Sequence, residues 1–484
     1  MDVTGMTHEG QGVGRIDNFT VFVDGALQGE KVEIKIIKVN KSYGVGKLLK
    51  IIETSEDRVD PFCDSYPGCG GCSLQHMSYE AGLKFKTDLV KESIKRIGKQ
   101  EGVVVQDTIG MHFPRCYRNK AQYPVGRYKD LVRVGFYAKR SHEIIDCPTC
   151  VIQHSKGDII KSIVKDFICK NGISTYDETT GEGLVRHIMT RFGFRTGDIM
   201  VVLVINGREI PGQGKLVEKL LKEVPEIKSI VLNVNTKRTN VILGEENIIL
   251  YGKGSITDYI GGISESEKSK KGWELDAPGV FDGGGFKFNI SPQSFFQVNP
   301  IQTEVLYNKA LEYAQLTGKE TVFDLYCGIG TISLFLSQKA RMVYGVEVVE
   351  AAIKDAKENA RINGVENVEF IVGEAEEVIP QMFKKGIRAD VVVVDPPRKG
   401  CDEEVLRTLV DMKPDRIVYV SCNPATLARD IKYLSEGGFC VREVQPVDMF
   451  PWTSHVECCV LLYKKEYYEK EVKGQVTAEV VTEV

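Results

Sequence analysis

The sequence predicts a multidomain α/β protein with a doubly wound sheet near the C-terminus, a small β-barrel at the N-terminus and a mixed α+β region between them. Three observations support this prediction. The chain has 484 residues, which exceeds the usual size of one domain. Short β-runs separated by polar turns fill its first fifty residues. Apolar strand candidates alternate with helical segments after residue 291.

The N-terminal segment 1–58 contains β-runs at 20–23, 30–36 and 45–48. Short strands of this kind are typical of an OB-like barrel, a fold that often binds single-stranded nucleic acid. A β-domain with only structural duties explains this stretch equally well. The chain begins almost directly at the first glycines of the segment, so we expect the leading strand to be short or missing.

Bulk composition excludes some classes of protein. The formal net charge is -4, so any nucleic-acid surface must be local rather than global. We find neither an export signal nor an apolar run long enough for a membrane span. The thirteen cysteines are therefore expected to be reduced thiols of a cytoplasmic protein, and clustered cysteines then indicate metal or catalytic sites.

The segment 291–465 is predicted to be a Rossmann-like domain, and 466–484 a charged, disordered tail. The last predicted strand follows a short loop and is expected to run antiparallel to its neighbours. The strand candidates are 321–325, 342–346, 368–372, 389–394, 416–421 and 456–462.

A glycine turn after the first of these strands, Tyr326-Cys327-Gly328-Ile329-Gly330, leads into an apolar helix. Glycines let the backbone approach a ligand closely at a helix N-terminus. Glu347 ends the next strand, where a carboxylate can accept both ribose hydroxyls. Glu374 follows the third strand. A role beside the adenine and a role as an ordinary surface residue are about equally favoured for it. This order of features fits S-adenosylmethionine, and Asp324 is expected to brace the turn.

Two further strands end in reactive groups. Asp395 opens an Asp-Pro-Pro sequence typical of methyltransferases acting on nitrogen or on bases, where prolines fix an exposed acceptor. Cys422 follows the next strand, and a thiolate at this edge of the sheet is a strong nucleophile. Glu457, near the start of the last strand, is a candidate base that His455 could orient.

These residues resemble a known family, the RNA uracil-5-methyltransferases, and the whole chain resembles their rRNA-modifying members with an N-terminal TRAM domain. The resemblance implies that Cys422 attacks carbon 6 of uracil and that Glu457 removes the carbon-5 proton. It also implies that four residues contact S-adenosylmethionine: Gln297, Tyr326, Glu347 and Asp395. The matching segments are 294–299, 324–331, 395–398, 421–424 and 455–457.

Cys63, Cys69 and Cys72 form a C-x5-C-x2-C pattern in a glycine-rich loop. Three close thiolates with one distant cysteine suit an iron–sulfur cluster, and four thiolates also suit zinc. Cys147 and Cys150 both offer the fourth ligand. The resemblance favours a 4Fe–4S cluster with Cys147, because the family's cysteine is followed by proline, and it implies a structural role.

The stretch between residues 114 and 140 contains eight basic residues and only one acidic residue, with five aromatic residues interleaved. Basic groups meet phosphates and aromatic faces stack on unstacked bases, so the central segment 59–290 is predicted to carry an RNA surface. A second basic stretch at 84–99 looks helical. The basic residues of the first stretch are Arg115, Arg118, Lys120, Arg127, Lys129, Arg133, Lys139 and Arg140, and the aromatics are Tyr117, Tyr123, Tyr128, Phe136 and Tyr137.

The predicted function is methylation of carbon 5 of a uridine, and the TRAM-like and cysteine regions point to 23S rRNA. The alternatives are the same reaction on tRNA, an amino-group methyltransferase using Asp395, and a non-enzymatic RNA-binding assembly factor. We expect no membrane association and no obligate protein partner, and the resemblance gives no reason to expect more than a monomer.

Overall fold

The computed structural model of the protein describes residues 1–261 and 285–467. None of the helices in this part of the chain is long and apolar enough to cross a membrane. The helices are α1 (Tyr79–Arg96), α2 (Ser155–Lys170), α3 (Gln213–Glu223), α4 (Pro300–Ala314), α5 (Thr331–Ser337), α6 (Glu350–Ile362), α7 (Ala375–Lys384), α8 (Glu403–Met412) and α9 (Pro424–Glu436).

The strands form one barrel-like sheet, two large sheets and a two-stranded ribbon. The strands are β1 (Val3–Met6), β2 (Gly12–Ile16), β3 (Phe19–Asp24), β4 (Lys31–Val39), β5 (Gly44–Glu53), β6 (Val104–Val105), β7 (Lys120–Tyr128), β8 (Leu131–Tyr137), β9 (Ile144–Asp146), β10 (Val185–Phe192), β11 (Ile199–Ile205), β12 (Ile227–Val234), β13 (Glu246–Gly252), β14 (Ile256–Ile260), β15 (Phe286–Ile290), β16 (Thr321–Leu325), β17 (Met342–Glu347), β18 (Val368–Val372), β19 (Val391–Val394), β20 (Arg416–Ser421), β21 (Phe439–Val447) and β22 (Glu457–Lys464).

The N-terminal sheet has the strand order β1-β2-β3-β5-β4. Its leading strand β1 is present, although it has only four residues. The Val3 amide donates to the Glu30 carbonyl over 2.8 Å, and the Val32 amide donates to the Met1 carbonyl over 2.9 Å. These bonds join the first strand to the start of β4, so the sheet closes into the predicted barrel and hides an edge that would otherwise be free.

The central region is built on a seven-stranded sheet with the order β13-β12-β11-β10-β7-β8-β9. Only β11 and β12 pair in parallel, and α2 and α3 cover one face. Strand β11 is buried along its whole length. The other face of this sheet shares a core with β14, β15 and α4, which links the central region to the C-terminal sheet. The mixed α+β prediction is confirmed for this region.

The C-terminal sheet has the order β18-β17-β16-β19-β20-β22-β21-β6. Strands β16 to β20 pair in parallel, whereas β22 runs antiparallel to β20, as predicted. All six predicted strands are present, and each boundary lies within two residues of its prediction. Strand β21 was not predicted, and the short β6 joins this sheet from the N-terminal half. The part of the predicted tail that follows residue 467 lies outside the described residues.

A loop at 448–455, between β21 and β22, is held by the N-terminal half of the chain. The Trp452 indole donates to the Pro114 carbonyl over 2.6 Å. The Tyr117 hydroxyl donates to the Pro451 carbonyl over 3.1 Å. The amides of Ser73 and Leu74 both donate to the Trp452 carbonyl over 3.0 Å. The segment preceding Glu457 is therefore fixed by contacts made some three hundred residues away in sequence.

The same loop contains a buried ion pair. The Lys86 ammonium of α1 contacts the Asp448 carboxylate and also donates to the Phe450 carbonyl over 3.1 Å. The Tyr79 hydroxyl donates to the other Asp448 oxygen over 2.7 Å. The predicted basic helix at 84–99 is confirmed as α1, but Lys86 points inward and is unavailable to RNA.

We expect Lys86→Met to destabilise the protein, because it leaves the Asp448 carboxylate buried without its cation. Breaking one side of a buried pair costs about 3–5 kcal/mol, whereas replacing both partners by apolar groups is often neutral. Thermal unfolding followed by intrinsic fluorescence should show a lower midpoint for Lys86→Met and recovery in Lys86→Met/Asp448→Leu. Lys91→Met, on the exposed side of the same helix, is the control. An unchanged midpoint in Lys86→Met would contradict this account.

Candidate active site

The reactive residues predicted from the sequence meet at one edge of the C-terminal sheet. Tyr326, Glu347, Asp395 and Cys422 lie at or just after the carboxyl ends of parallel strands, which share this edge. Strand β22 is antiparallel, so its beginning reaches the edge where its neighbours end. Ser421 pairs with Cys458 across β20 and β22. Cys422 and Glu457 each lie one residue beyond that pair, on the same side of it.

One cavity of about 570 Å³ lies along this edge. All six residues predicted as catalytic or cofactor-contacting line it, and they come from six separate parts of the C-terminal half. Its volume is within the usual range of small-molecule sites. The lining residues include Gln297, Tyr326, Glu347, Asp395, Cys422 and Glu457, together with Phe295, Thr331, Arg398, Phe450 and His455.

The glycine turn forms one wall of the cavity. Gly330 precedes α5 with φ of 80°, and a Cβ atom there would lie 2.6 Å from the Phe370 ring, so only glycine fits. The Glu347 carboxylate accepts from the amide of Gly328 over 3.2 Å and from the amide of Val349 over 2.9 Å. Those bonds orient the carboxylate beside the turn before any ligand binds.

Asp324 braces the turn from beneath, as expected. It is fully buried, and one carboxylate oxygen accepts from the Ser333 hydroxyl of α5 over 2.5 Å. Burial raises the pKa of Asp324 to about 7. Glu374 is exposed at the start of α7 and is not among the residues that line the cavity. Of the two roles weighed for Glu374, the surface role agrees better with this position.

Gln297 reaches the cavity from the segment between β15 and α4. It is 9% exposed, and its backbone carbonyl accepts from the Asn119 side chain over 2.8 Å. Asn299 caps α4 by accepting from the Gln302 amide, and Pro300 stands in the first turn of that helix. The capped helix fixes the backbone just after Gln297, which places the amide side chain at the cavity wall.

Burial governs the ionisation of the reactive groups. It raises the pKa of Cys422 to about 11, with the neighbouring carboxylates of Glu457 and Asp395 adding to the rise. Burial also raises the pKa of Glu457 well above its ordinary value, and that of Asp395 to about 6. The Arg398 cation opposes these shifts at Cys422 and Glu457. The Cys422 thiol is therefore largely protonated near neutrality.

Some cavity residues were given no role from the sequence. Arg398 belongs to the matching segment 395–398, but only the structure shows that its charge acts on both Cys422 and Glu457. Phe295, at 66% exposed, and Phe450 add aromatic surface at the cavity. An aromatic residue in an irregular segment carries no sequence signal of this kind, because its neighbours come from distant strands. His455, in contrast, was predicted to orient Glu457; it lines the cavity with its ring centre 6.1 Å from that of Phe450, and the orienting role stays a prediction.

The thiol pKa predicts a pH dependence. Because the pKa of Cys422 is raised to about 11, its thiolate fraction should rise about tenfold per pH unit between pH 7 and 9. Alkylation of Cys422 by iodoacetamide, followed by peptide mass spectrometry, should accelerate accordingly. Arg398→Gln should slow alkylation at a fixed pH, because it removes the cation that lowers this pKa. Lys399→Gln, the next residue, is the control, and a pH-independent rate would refute the expectation.

Five cysteines line a second, smaller cavity of about 50 Å³: Cys63, Cys69, Cys72, Cys147 and Cys150. Burial raises the pKa of Cys72 to about 11 and also raises the pKa values of Cys69, Cys147 and Cys150. Within residues 1–261 and 285–467, no group of three histidine, cysteine or carboxylate side chains is arranged to hold a single metal ion.

The predicted RNA surface is only partly exposed. Arg127, Tyr128 and Lys129 are exposed at the β7–β8 turn. Tyr117 and Tyr123, however, are fully buried, so the prediction that they stack on bases is wrong. The Tyr123 ring packs in the core of the central region, beneath α2. Tyr117 precedes β7 and packs in a separate small core with Met111 and Ile152.

Comparison with known proteins agrees with this architecture. Residues 280–465 match the tRNA (Uracil-5-)-methyltransferase family, and residues 2–49 match the TRAM domain. The chain is 54% identical to an RNA methyltransferase of Clostridium tetani over 460 residues, which are 95% of each protein. It is 52% identical to an RNA methyltransferase of Halalkalibacterium halodurans, again over 95% of each protein.

A solved structure is similar over nearly its whole length. This is the tRNA (uracil-54, C5)-methyltransferase of Pyrococcus abyssi in complex with S-adenosyl-L-homocysteine, which is 28% identical with a TM-score of 0.73. The similarity covers 96% of this chain and 99% of the other. From the match of both domains and the close relatives, the chain belongs to the TRAM-domain family of S-adenosylmethionine-dependent RNA (uracil-5-)-methyltransferases.

Proposed function

We propose that this enzyme methylates carbon 5 of a specific uridine in 23S rRNA, with Cys422 as covalent nucleophile and Glu457 as the base that completes the reaction. The observation that carries the proposal is the pairing of Ser421 with Cys458, which puts both groups at one level beside the same cavity. Gln297, Tyr326, Glu347 and Asp395 would hold S-adenosylmethionine along the adjoining wall.

Each step assigns a task to a residue of the chain. The Cys422 thiolate adds to carbon 6 of the uracil, which makes carbon 5 an enolate carbon able to form a bond to the methyl group. Bound S-adenosylmethionine supplies that methyl group on a sulfonium. Glu457, as carboxylate, then takes the proton from carbon 5, and the electron pair of that bond expels Cys422 as thiolate. The enzyme is restored and 5-methyluridine leaves.

Charge explains the order of these events. A cation bound beside Asp395 and Cys422 would lower the pKa of the thiol and favour the thiolate when the substrate arrives. The Arg398 cation would favour the Glu457 carboxylate that the last step needs.

The choice of RNA depends on the N-terminal half. Support for 23S rRNA comes from the TRAM domain and the cysteine-lined cavity, in which the chain resembles rRNA-modifying members. A tRNA is the second candidate for a specific reason. The similarity to the Pyrococcus abyssi tRNA enzyme covers 96% of this chain. The part that is not covered is shorter than the barrel, so the similarity includes at least part of the barrel. A TRAM-like barrel therefore does not by itself distinguish the two substrates.

Nucleoside mass spectrometry tests the proposal. Anaerobically purified protein would be incubated with labelled S-adenosylmethionine and unmodified 23S rRNA or tRNA transcripts. Label as 5-methyluridine in 23S rRNA alone supports the proposal. Label in tRNA alone would make tRNA the substrate and leave the proposed mechanism unchanged. Label in an amino-methylated base would contradict the roles of Cys422 and Glu457, because that chemistry has no use for either.

We further propose that Cys63, Cys69, Cys72 and Cys147 bind a 4Fe–4S cluster with a structural role. The cavity fits an anionic cluster because the Arg118 Nε, from a cationic residue that lines it, has no hydrogen-bond partner and can donate to a cluster sulfur. A single zinc ion would draw four thiolates to about 2.3 Å from one centre, whereas each cysteine of a cluster binds its own iron. The resemblance to the rRNA-modifying members favours the cluster over zinc.

The cluster assignment makes a prediction about iron content. Anaerobically purified protein should contain about four iron and four sulfide per chain, and Cys147→Ser should lower both. Cys150→Ser is the matched variant, since its thiol lines the same cavity three residues away. Metal analysis that finds zinc instead of iron would contradict the cluster assignment. Loss of iron in Cys150→Ser but not in Cys147→Ser would make Cys150 the fourth ligand.

We infer that the protein acts as a monomer in the cytoplasm, where these thiols remain reduced.

A further inference from the structure

A third cavity lies in the central region, away from the candidate active site. Its volume is about 550 Å³, close to the 570 Å³ of the candidate active site. It is bounded by the β7–β8 hairpin, the start of β9 and β10, and the segment 172–179. We call it the central cavity. None of the residues to which the proposed function assigns a role lines it.

Two buried polar side chains that line the central cavity have unpaired nitrogen atoms. Arg186 is 4% exposed and its Nε has no hydrogen-bond partner, although its Nη1 donates to the carbonyls of Asn235 and Lys237 and its Nη2 to that of Thr239. His187 is 6% exposed and its Nδ1 has no partner. A buried polar atom left unpaired is unfavourable in a folded protein, so a polar ligand that reaches these side chains on entering would gain hydrogen bonds here.

The side chains around these nitrogens suit a planar ligand. The Arg186 guanidinium lies 4.1 Å from the centre of the Tyr176 ring, and the Arg133 guanidinium lies 4.1 Å from the centre of the Tyr128 ring. Tyr128 is 46% exposed, and the Lys129 ammonium lies 5.5 Å from its ring centre. Tyrosine rings and guanidinium planes are the surfaces on which unstacked RNA bases pack.

The charges of the central cavity also fit RNA. Its acids are already engaged: Glu143 pairs with Arg133 at 3.2 Å, Glu178 pairs with His142 at 3.2 Å, and Asp177 accepts from the backbone of the 177–180 turn. Arg127, at the tip of the hairpin, donates to the Asp130 carbonyl and keeps its charge. A phosphate can therefore meet positive charge at the hairpin rim through Arg127, whereas the carboxylates of Asp177 and Glu178 lie in the segment 172–179.

The interior differs from the rim in charge. Burial, together with the nearby charge of Arg186, lowers the pKa of His187 to about 4, so its imidazole is neutral at pH 7. A neutral imidazole has one donor and one acceptor nitrogen, which matches the edge of a base better than a phosphate. The rim thus suits the backbone of an RNA strand and the interior suits its base.

The central cavity also adjoins the TRAM barrel. The turn between β8 and β9 contacts the barrel through Lys139 and Asp24 at 2.7 Å and through Arg140 and Glu9 at 2.5 Å. Tyr137, one residue before this turn, lines the cavity and donates to Glu178 over 3.1 Å. An RNA strand held by the barrel would reach the central cavity without crossing the catalytic half.

We propose that the central cavity binds an unstacked base of the substrate RNA, as a second nucleotide site separate from the one that presents the target uridine to Cys422. This inference rests on the proposed function only in taking RNA as the ligand. A second anchored base would help to select the substrate, because the RNA must offer two unstacked nucleotides at a fixed separation.

Cross-linking tests this site independently of catalysis. Total cellular RNA containing 4-thiouridine would be bound to full-length Cys422→Ala protein, irradiated and digested, and the cross-linked peptides identified by mass spectrometry. We expect cross-links in the segments 127–137 and 174–179 as well as near the candidate active site. Cross-links that occur only near the barrel and the active site would overturn the proposal, even if methylation is confirmed.

Substitutions at the rim give a second measurement. Tyr128→Ala should raise the KM for RNA about tenfold and leave kcat at saturating RNA unchanged, as expected for loss of one stacked base. Thr179→Trp should act similarly by filling the cavity. Tyr251→Ala is the matched control, because Tyr251 lies on the opposite edge of the same sheet and is 41% exposed. An unchanged KM in both rim variants would refute the site.

Discussion

Replacing Cys422 by alanine is expected to abolish 5-methyluridine formation, with a loss of at least about 10⁴-fold in turnover. The proposed reaction has no route to an enolate at carbon 5 without addition of a thiolate at carbon 6, and removing a covalent nucleophile typically causes losses of this size or larger. The variant should also fail to form a covalent complex with RNA containing 5-fluorouridine. Both readouts are measured on denaturing gels and by nucleoside mass spectrometry.

Two controls separate chemistry from folding in this experiment. Cys169→Ala removes an exposed thiol at the end of α2 and should leave activity unchanged. Cys422→Ala should retain binding of S-adenosylmethionine and RNA, because the cavity walls stay in place. If Cys422→Ala still methylated uracil at carbon 5, the covalent mechanism would have to be abandoned.

The Glu457→Gln variant is expected to stop the reaction at its last step. Methyl transfer can still occur, but the amide cannot accept the carbon-5 proton, so Cys422 is not expelled. A covalent complex of protein with methylated RNA should accumulate on unmodified substrate, while release of 5-methyluridine falls by at least about 10³-fold. Denaturing gels with label from S-adenosylmethionine in the protein–RNA band measure this directly.

The expected effect of Glu457→Gln depends on the surroundings of Glu457. The residue is 5% exposed, and burial raises its pKa well above the ordinary value. Glutamine has the same shape without a titrating proton, so the protein should remain folded. Glu369→Gln, on the exposed side of β18, is the control. Normal release of product by Glu457→Gln would show that another group takes the proton.

The sequence predicted the C-terminal half well for physical reasons. Strands β16 and β19 are short apolar runs bounded by turn residues, and each delivers its functional residue at its carboxyl end. Periodicity and turn chemistry act locally, so they can be read from the chain. The placement of Cys422 opposite Glu457 follows once the last strand is taken as antiparallel.

Features that depend on distant contacts were not predictable. Strand β21 contains Arg442, Glu443 and Gln445, which interrupt any apolar run. Strand β6 has only two residues and joins the sheet across three hundred positions of sequence. Tyr123 looked like a stacking residue because its neighbours are basic, but burial is decided by which face of the sheet α2 covers. The central cavity likewise joins parts of four strands and a loop that no sequence motif links.

The pairing of β20 with β22 has a consequence for dynamics. Cys422 and Glu457 are attached to strands that are hydrogen-bonded in register from Arg416 to Ser421, so their separation is set by the ladder rather than by a loop. Amide hydrogens of β20 and β22 should therefore exchange with deuterium among the slowest in the protein. The two reacting groups thus keep one separation while a substrate binds and leaves, and the target base has to be brought to that fixed pair.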